Sequence, residues 1–186
     1  MKRRILAGVL LMASAVAGLS QTKPATPAIW IDVPFVSQTK DGCGPASIAM
    51  VMQYWEQKEG RASASNADPV KIQSALFSPA AGGIYASRMQ QYFQRSGYRV
   101  FPFSGRWSDL RHHLQLGRPL IVSLKASGPL GPLHYVVVVG IDSERDYIFV
   151  NDPARQKMLR ISRKGFESEW SSTRNWTLLA VPQTGN

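Results

Sequence analysis

One cysteine, Cys43, and three histidines, His112, His113 and His134, limit the nucleophilic and acid–base chemistry open to this chain. Cys43 lies in the stretch Q-T-K-D-G-C-G-P-A-S-I-A-M-V-M-Q-Y-W, residues 38–55. Pro45 stands where a first helical residue would, a place where a missing N–H costs nothing. Gly42 and Gly44 flank the cysteine and permit a tight turn or a close approach of the backbone. From Ala46 to Trp55 the residues are small or apolar on nearly every face, which predicts a buried helix. Cys43 is therefore expected at the N-terminal tip of a central helix, where the helix dipole favours thiolate over thiol. A thiol ordinarily near pKa ~8.5 falls to roughly 3.5–7.5 in such surroundings. The competing reading is a cysteine buried as a small apolar residue.

A nucleophilic cysteine needs a base, and the base needs an orienting group. His112 and His113 are adjacent in a segment with arginines around it and read as surface residues. His134 opens the most apolar run of the chain, H-Y-V-V-V-V-G-I, directly after a Gly- and Pro-rich loop, so it would be both rigidly held and reachable. If residues 134–141 and 147–150 form a hairpin turning near Ser143–Arg145, position 134 pairs near 152–154, and cross-strand partners lie ~5 Å apart. Asp152 is then the favoured orienter, because a carboxylate also stabilises the imidazolium that forms. Asn151 is the alternative, and a turn role before Pro153 is another reading of Asp152. Acyl chemistry also needs donors for an oxyanion. The backbone N–H of Cys43 and the side chain of Gln38 are the candidates, although a loop glutamine is usually only solvated.

These residues need elements to hold them. Ile29–Val36 reads as an extended edge segment, with Pro34 restricting it. The Cys43 helix is expected to end near Glu59–Gly60, and 61–67 is a small, polar surface loop. Asp68–Pro69 is an N-cap with a proline at N1, predicting a helix over Val70–Phe77. Pro79–Gly83 is a breaker. Tyr85, Met89, Tyr92 and Phe93 have helical spacing, and Gly97 stops that helix. Tyr98–Phe103 is a strand; Ser108 is expected to cap a helix carrying Leu110, Leu114 and Leu116. Strands follow at 119–124, 134–141, 147–150, 158–161 and 176–181, with a helix over 162–170. The expectation is an α+β domain of N-terminal helices, the nucleophile helix central among them, packed on a C-terminal antiparallel sheet. The walls of a pocket around Cys43 are expected from the 60–67 loop, the 79–84 turn and the 126–133 loop.

The chain has 186 residues, 44% of them apolar, with a formal charge of +10. That suits one globular domain with a sizeable core and excludes a disordered chain. Residues 1–17 have a secretory signal pattern: Lys2, Arg3 and Arg4, a short apolar run from Ile5, and the small-residue signal Ala15-Val16-Ala17. Cleavage is expected after Ala17 or, second, after Ser20; an uncleaved anchor is the other reading. Removing residues 1–17 takes three of the 22 basic residues and none of the 12 acidic ones, lowering +10 to +7. Residues 18–28 read as a linker and 29–186 as the domain. The expected location is secreted or periplasmic, without stable membrane insertion after cleavage. The charge is dispersed and, with export, argues against nucleic-acid binding. One cysteine permits no internal disulfide, and a lone thiol in an oxidising compartment is a liability without a function.

Gln38, Asp41-Gly42-Cys43-Gly44-Pro45-Ala46, His134-Tyr135-Val136-Val137 and Asp152-Pro153, in this order, resemble the papain-like cysteine peptidases. Within them the pattern is most similar to the double-glycine-leader (bacteriocin-processing) peptidases, peptidase family thirty-nine, and their stand-alone exported relatives. The resemblance runs from Val33 to about Pro182. It implies a papain-like fold, Cys43 as nucleophile, His134 as general base and acid, Asp152 as the orienting residue and Gln38 in the oxyanion hole. It also implies a peptide or protein substrate and no metal or other cofactor. Many members of the family are domains of peptide-exporting transporters. A chain with a signal peptide acts elsewhere, so cleavage after a Gly-Gly leader is not implied. Two other functions fit the same residues: an acyl or peptidyl transferase, and a catalytically silent envelope-binding module.

Overall fold

The structure, a computed structural model, describes residues 27–62, 65–125 and 131–183. The expected signal peptide, residues 18–26 of the linker and residues 126–130 of the 126–133 loop lie outside the described residues. One antiparallel sheet of seven strands organises the rest: β1 (Ile29–Trp30), β2 (Tyr98–Ser104), β3 (Leu120–Lys125), β4 (Leu133–Asp142), β5 (Tyr147–Asn151), β6 (Leu159–Ser162) and β7 (Trp176–Pro182). The order is β2-β7-β3-β4-β5-β6, with β1 paired to β4. β4 is central and buried from Tyr135 to Asp142, as its unbroken apolar run requires.

Among the described residues five α-helices flank the sheet: α1 (Cys43–Lys58), α2 (Pro69–Leu76), α3 (Ala86–Arg95), α4 (Trp107–Gln115) and α5 (Arg163–Ser171). The α+β class holds, but the helices are not all on one side. α1, α2 and α3 share a core with Ile121, Tyr135, Val137 and Val139. α4 and α5 share another with Leu120, Val122, Val136 and Val138. Alternate residues of β3 and β4 thus feed two cores, the period-2 signature of a strand covered on both faces. Nor does the chain run helices first and sheet after. β2 follows α3 and pairs along its whole length with β7, the last strand.

Local chemistry explains the element ends. Asp68 caps α2 by accepting from the Val70 N–H at 2.8 Å. The cap of α4 is not Ser108: the Asp109 carboxylate, in the first turn, reaches back to the Arg106 N–H at 2.9 Å. Of the expected extended segment 29–36, only Ile29–Trp30 is strand, opposite Ile141 and Gly140 of β4. The 61–67 segment is a 3-10 turn over Ser65–Ala67. Ala67 is buried, and its carbonyl accepts from Gln53 of α1.

Candidate active site

Cys43 is the first residue of α1. Gly42 is the N-cap residue, no side chain caps the helix, and no acidic residue occupies its first turn. The first-turn N–H groups therefore keep their partial positive charge at the thiol without a side-chain acceptor. The turn before it places Asp41 in the left-handed region, at φ 57°. Gly44 must be glycine for packing: a Cβ there would lie 2.5 Å from Cγ1 and Cδ1 of Ile84. The 79–84 breaker thereby becomes a wall against the helix tip.

One turn along α1 from Cys43, Ser47 Oγ donates to the Tyr135 carbonyl at 3.3 Å. That contact ties the helix face carrying Cys43 to the start of β4, where His134 stands. His134 shares a cleft with Cys43, close enough for each to shift the other's titration. Its Nε2–H donates to Asp152 Oδ1 at 2.7 Å. The carboxyl is 7% exposed and the imidazole 26%.

A β-bulge accounts for the His134–Asp152 contact. Gly140 pairs with Phe149 and Val138 with Val150, a register slip of one residue. Beyond the slip Val137 faces Asn151. Continuing that ladder sets Asp152 opposite Val136 and residue 154 opposite His134. His134 and Asp152 are therefore diagonal neighbours on one face, within reach of long side chains. Without the slip Asp152 would fall opposite Val137, on the alternate face. Asn151 points the other way. It is fully buried; its amide donates to the Val33 carbonyl at 3.1 Å and its Oδ1 accepts from the Met158 N–H at 3.0 Å. It braces the segment leading to Cys43 and does not bond His134.

The three titrating groups adjust one another. Burial alone pushes the Cys43 thiol up. The hydrogen bonding and charge of His134, with the Tyr135 and Gly44 backbone, outweigh burial and leave the thiol below its ordinary value. Burial pushes His134 down, but hydrogen bonds and charges of Asp152 and Cys43 carry it up to about 9. Burial likewise opposes ionisation of Asp152; His134, the Ala154 N–H and Arg155 hold it below 3.8. The arrangement favours a thiolate–imidazolium pair backed by a carboxylate.

Gln38 reaches the same cleft, about 390 Å³ in volume, with Cys43, His134, Asp152 and Arg155 on its walls. Its backbone N–H donates to the Pro153 carbonyl at 2.9 Å, tying it to the Asp152 turn. Its Oε1 is buried and has no hydrogen-bond partner. Of the expected walls, the 79–84 turn contributes Gly82 and the 126–133 loop contributes Pro132 and Leu133. No described residue of the 60–67 loop lines the cleft: the Tyr92 hydroxyl donates to the Asn66 carbonyl and Ala67 sinks into the α1 core. A second groove of about 310 Å³, containing Tyr135 and Trp176, adjoins across Leu133.

Three contributors were not foreseen. Arg155 Nε lies 3.8 Å from Asp152 Oδ2, and its place three residues after Asp152 in a turn was a usable signal. Ser47 carried the weaker signal of its i+4 spacing from Cys43. Gln73 of α2 donates to the Lys40 carbonyl at 2.9 Å, and nothing near it in sequence announces that. His112 and His113 lie away from the cleft, on α4 beside Phe103 and Arg118. Among the described residues no group of three His, Cys, Asp or Glu could hold a metal ion.

Comparison with known proteins bears on this geometry. No curated protein matches the chain. The solved structures that match include a C39-like peptidase from Bacillus anthracis, 17% identical with a TM-score of 0.67, covering 86% of this chain and 100% of that one. The peptidase domain of Streptococcus ComA, a bifunctional ABC transporter, is 22% identical with a TM-score of 0.61, over 82% of this chain and 100% of that one. A double-glycine-motif protease of an AMS/PCAT transporter, solved with its leader peptide, is 20% identical with a TM-score of 0.61, over 88% and 100%. At these identities the likeness is one of fold. A family model, that of the Peptidase C39-like family, matches residues 30–177, most of the chain and a span that includes Gln38, Cys43, His134 and Asp152, and the chain belongs to that family.

Proposed function

We propose that the chain is an exported cysteine peptidase that hydrolyses peptide bonds through Cys43, His134 and Asp152. The Cys43 thiolate attacks the peptide carbonyl carbon, and the carbonyl electron pair moves to oxygen. That oxyanion accepts from the Cys43 N–H and the Gln38 side chain. The tetrahedral species collapses, the C–N bond breaks, and the leaving amine takes its proton from His134. Water then attacks the thioester while His134 removes a proton. The acid product leaves and the thiol is restored. Asp152 holds the imidazole in one tautomer and stabilises its charged form. Export rests on the signal pattern of residues 1–17.

One observation carries the reading: Cys43 at a helix tip without a side-chain cap, sharing a cleft with a histidine whose Nε2 is 2.7 Å from a buried carboxylate. The test is iodoacetamide labelling of the mature protein across roughly pH 5 to 9, wild type beside His134→Ala, with hydrolysis of an unfolded protein followed in parallel. Fast labelling at low pH, lost in the variant, with hydrolysis lost as well, is the expected result. Labelling that rises only above about pH 8 in both proteins overturns the reading and leaves a binding module. N-terminal sequencing of the protein from the periplasm or medium tests export. Residue 18 or 21 is the expected start, and an uncut chain in the cytoplasm refutes it.

A further inference from the structure

We infer that Gln73 is a positioning residue for the oxyanion loop, an inference that rests on the peptidase reading above. The two oxyanion donors of that reading, the Gln38 side chain and the Cys43 N–H, are separated by the loop 39–42. That loop has one closing bond of its own, from the Gly42 N–H to the Thr39 carbonyl at 3.0 Å. Its outer side is held by Gln73, more than thirty residues on. Gln73 Nε2 donates to the Lys40 carbonyl at 2.9 Å, and its Oε1 accepts from the Thr39 hydroxyl. Both ends of one amide are thus spent on two consecutive loop residues. The fit is close: a Cβ on Gly42 would lie 2.9 Å from Thr39 Oγ1 and 3.1 Å from Gln73 Oε1.

α2 is a firm support for this clamp. Ile72, beside Gln73, is fully buried, Leu76 nearly so, and Asp68 caps the helix start. Gln38 is pinned at its other side by its bond to Pro153. The spacing between the two donors is therefore set from outside the loop, by the Asp152 turn at one end and by α2 at the other. Donors to an oxyanion act only from a narrow range of positions. A shift of ~1 Å in a reacting geometry costs on the order of 100-fold.

The clamp predicts a split between two reactions of the same thiol. Acylation by p-nitrophenyl acetate passes through an oxyanion, forms the Cys43 thioester and expels p-nitrophenolate. Alkylation by iodoacetamide expels iodide and forms no oxyanion. Gln73→Met keeps the length of the side chain and removes both hydrogen bonds. It is expected to slow acylation by about 10- to 100-fold while alkylation and its pH profile stay within about two-fold. In a Gln38→Ala background the same change is expected to add no more than about two-fold, because its effect passes through Gln38. Thr39→Val, which removes half the clamp, should give a smaller loss of the same kind and serves if Gln73→Met does not fold. Acylation at the wild-type rate in both variants, or equal losses of acylation and alkylation, overturns the inference and leaves the peptidase reading standing. A wild type that neither acylates nor alkylates at low pH overturns both.

Discussion

His134 and His113 are the same residue in two regions of one molecule, and their surroundings drive them in opposite directions. His134 opens β4 between a thiol and a carboxylate, and despite burial it rises to about 9. His113 sits on α4 beside Phe103, and burial, then the positive charges of His112 and Arg118, hold it below 6.5. Both are only partly buried. The sign is decided by partners: anionic groups in bonding range outweigh desolvation at His134, and cationic neighbours add to it at His113. Imidazole chemistry at the cleft is thus a property of Cys43 and Asp152 as much as of the histidine.

Removing the anionic partners should therefore do more than removing the other histidines. The largest expected effect is Cys43→Ala or His134→Ala, each lowering turnover by on the order of a million-fold and leaving the fold intact, measured by active-site-normalised kinetics and circular dichroism. Asp152→Asn should lower kcat by about 10⁴-fold. Its neighbour sharpens the point: Asn151→Ala should leave His134's titration in place and cost about 1–3 kcal/mol of stability, read from denaturant unfolding, through the orphaned Val33 carbonyl and Met158 N–H.

A pH series separates the two histidines directly. By NMR titration His134 should move near pH 9 in the wild type and lower in Asp152→Asn, while His113 titrates below 6.5 in both. The same shifts set a stability window. A raised His134 contributes fully below 6.5 and its contribution is lost as pH rises through about 9. A depressed Asp152 contributes fully above 3.8 and its contribution is lost as pH falls through its folded value. The stability gap between wild type and Asp152→Asn should accordingly be widest between 3.8 and 6.5 and close toward 9. A gap that widens above pH 9 would contradict the ion pair. The smallest effect is expected from His112→Ala and His113→Ala, within about two-fold of wild-type turnover, since neither touches the cleft. A His113→Ala loss as deep as that of His134→Ala would erase the distinction.

Much of this contrast was legible in the chain. The apolar face of α1, the capped start of α2 and the unbroken run of β4 are local signals, produced by residues next to one another. They placed helices and strands within a few residues, and they placed Cys43 at a helix tip and His134 at a strand mouth. Local signals failed where another residue took the decisive bond. Ser108 looked like the cap of α4, but the adjacent Asp109, in the same first turn, took the bond. The 60–67 segment looked like a cleft wall, but Gln53 and Tyr92 hold its end, Asn66–Ala67, against α1 and α3. β2 and β7, joined along seven residue pairs, are separated by 71 residues, and no pattern within either strand names the other.

The sequence by itself determined the inventory: one thiol, a glutamine and a helix start around it, a histidine and an Asn-Asp pair far downstream. It did so because helix starts, apolar runs and turn residues express backbone preferences that act over a few residues. Tertiary structure alone decided which of Asn151 and Asp152 meets His134. A one-residue slip in the β4–β5 ladder sets the face on which each side chain emerges. Tertiary structure also decided that α2 holds the loop before Cys43. The first outcome depends on the register of a hairpin and the second on a contact between segments more than thirty residues apart, and neither is expressed by the backbone preference of a single stretch.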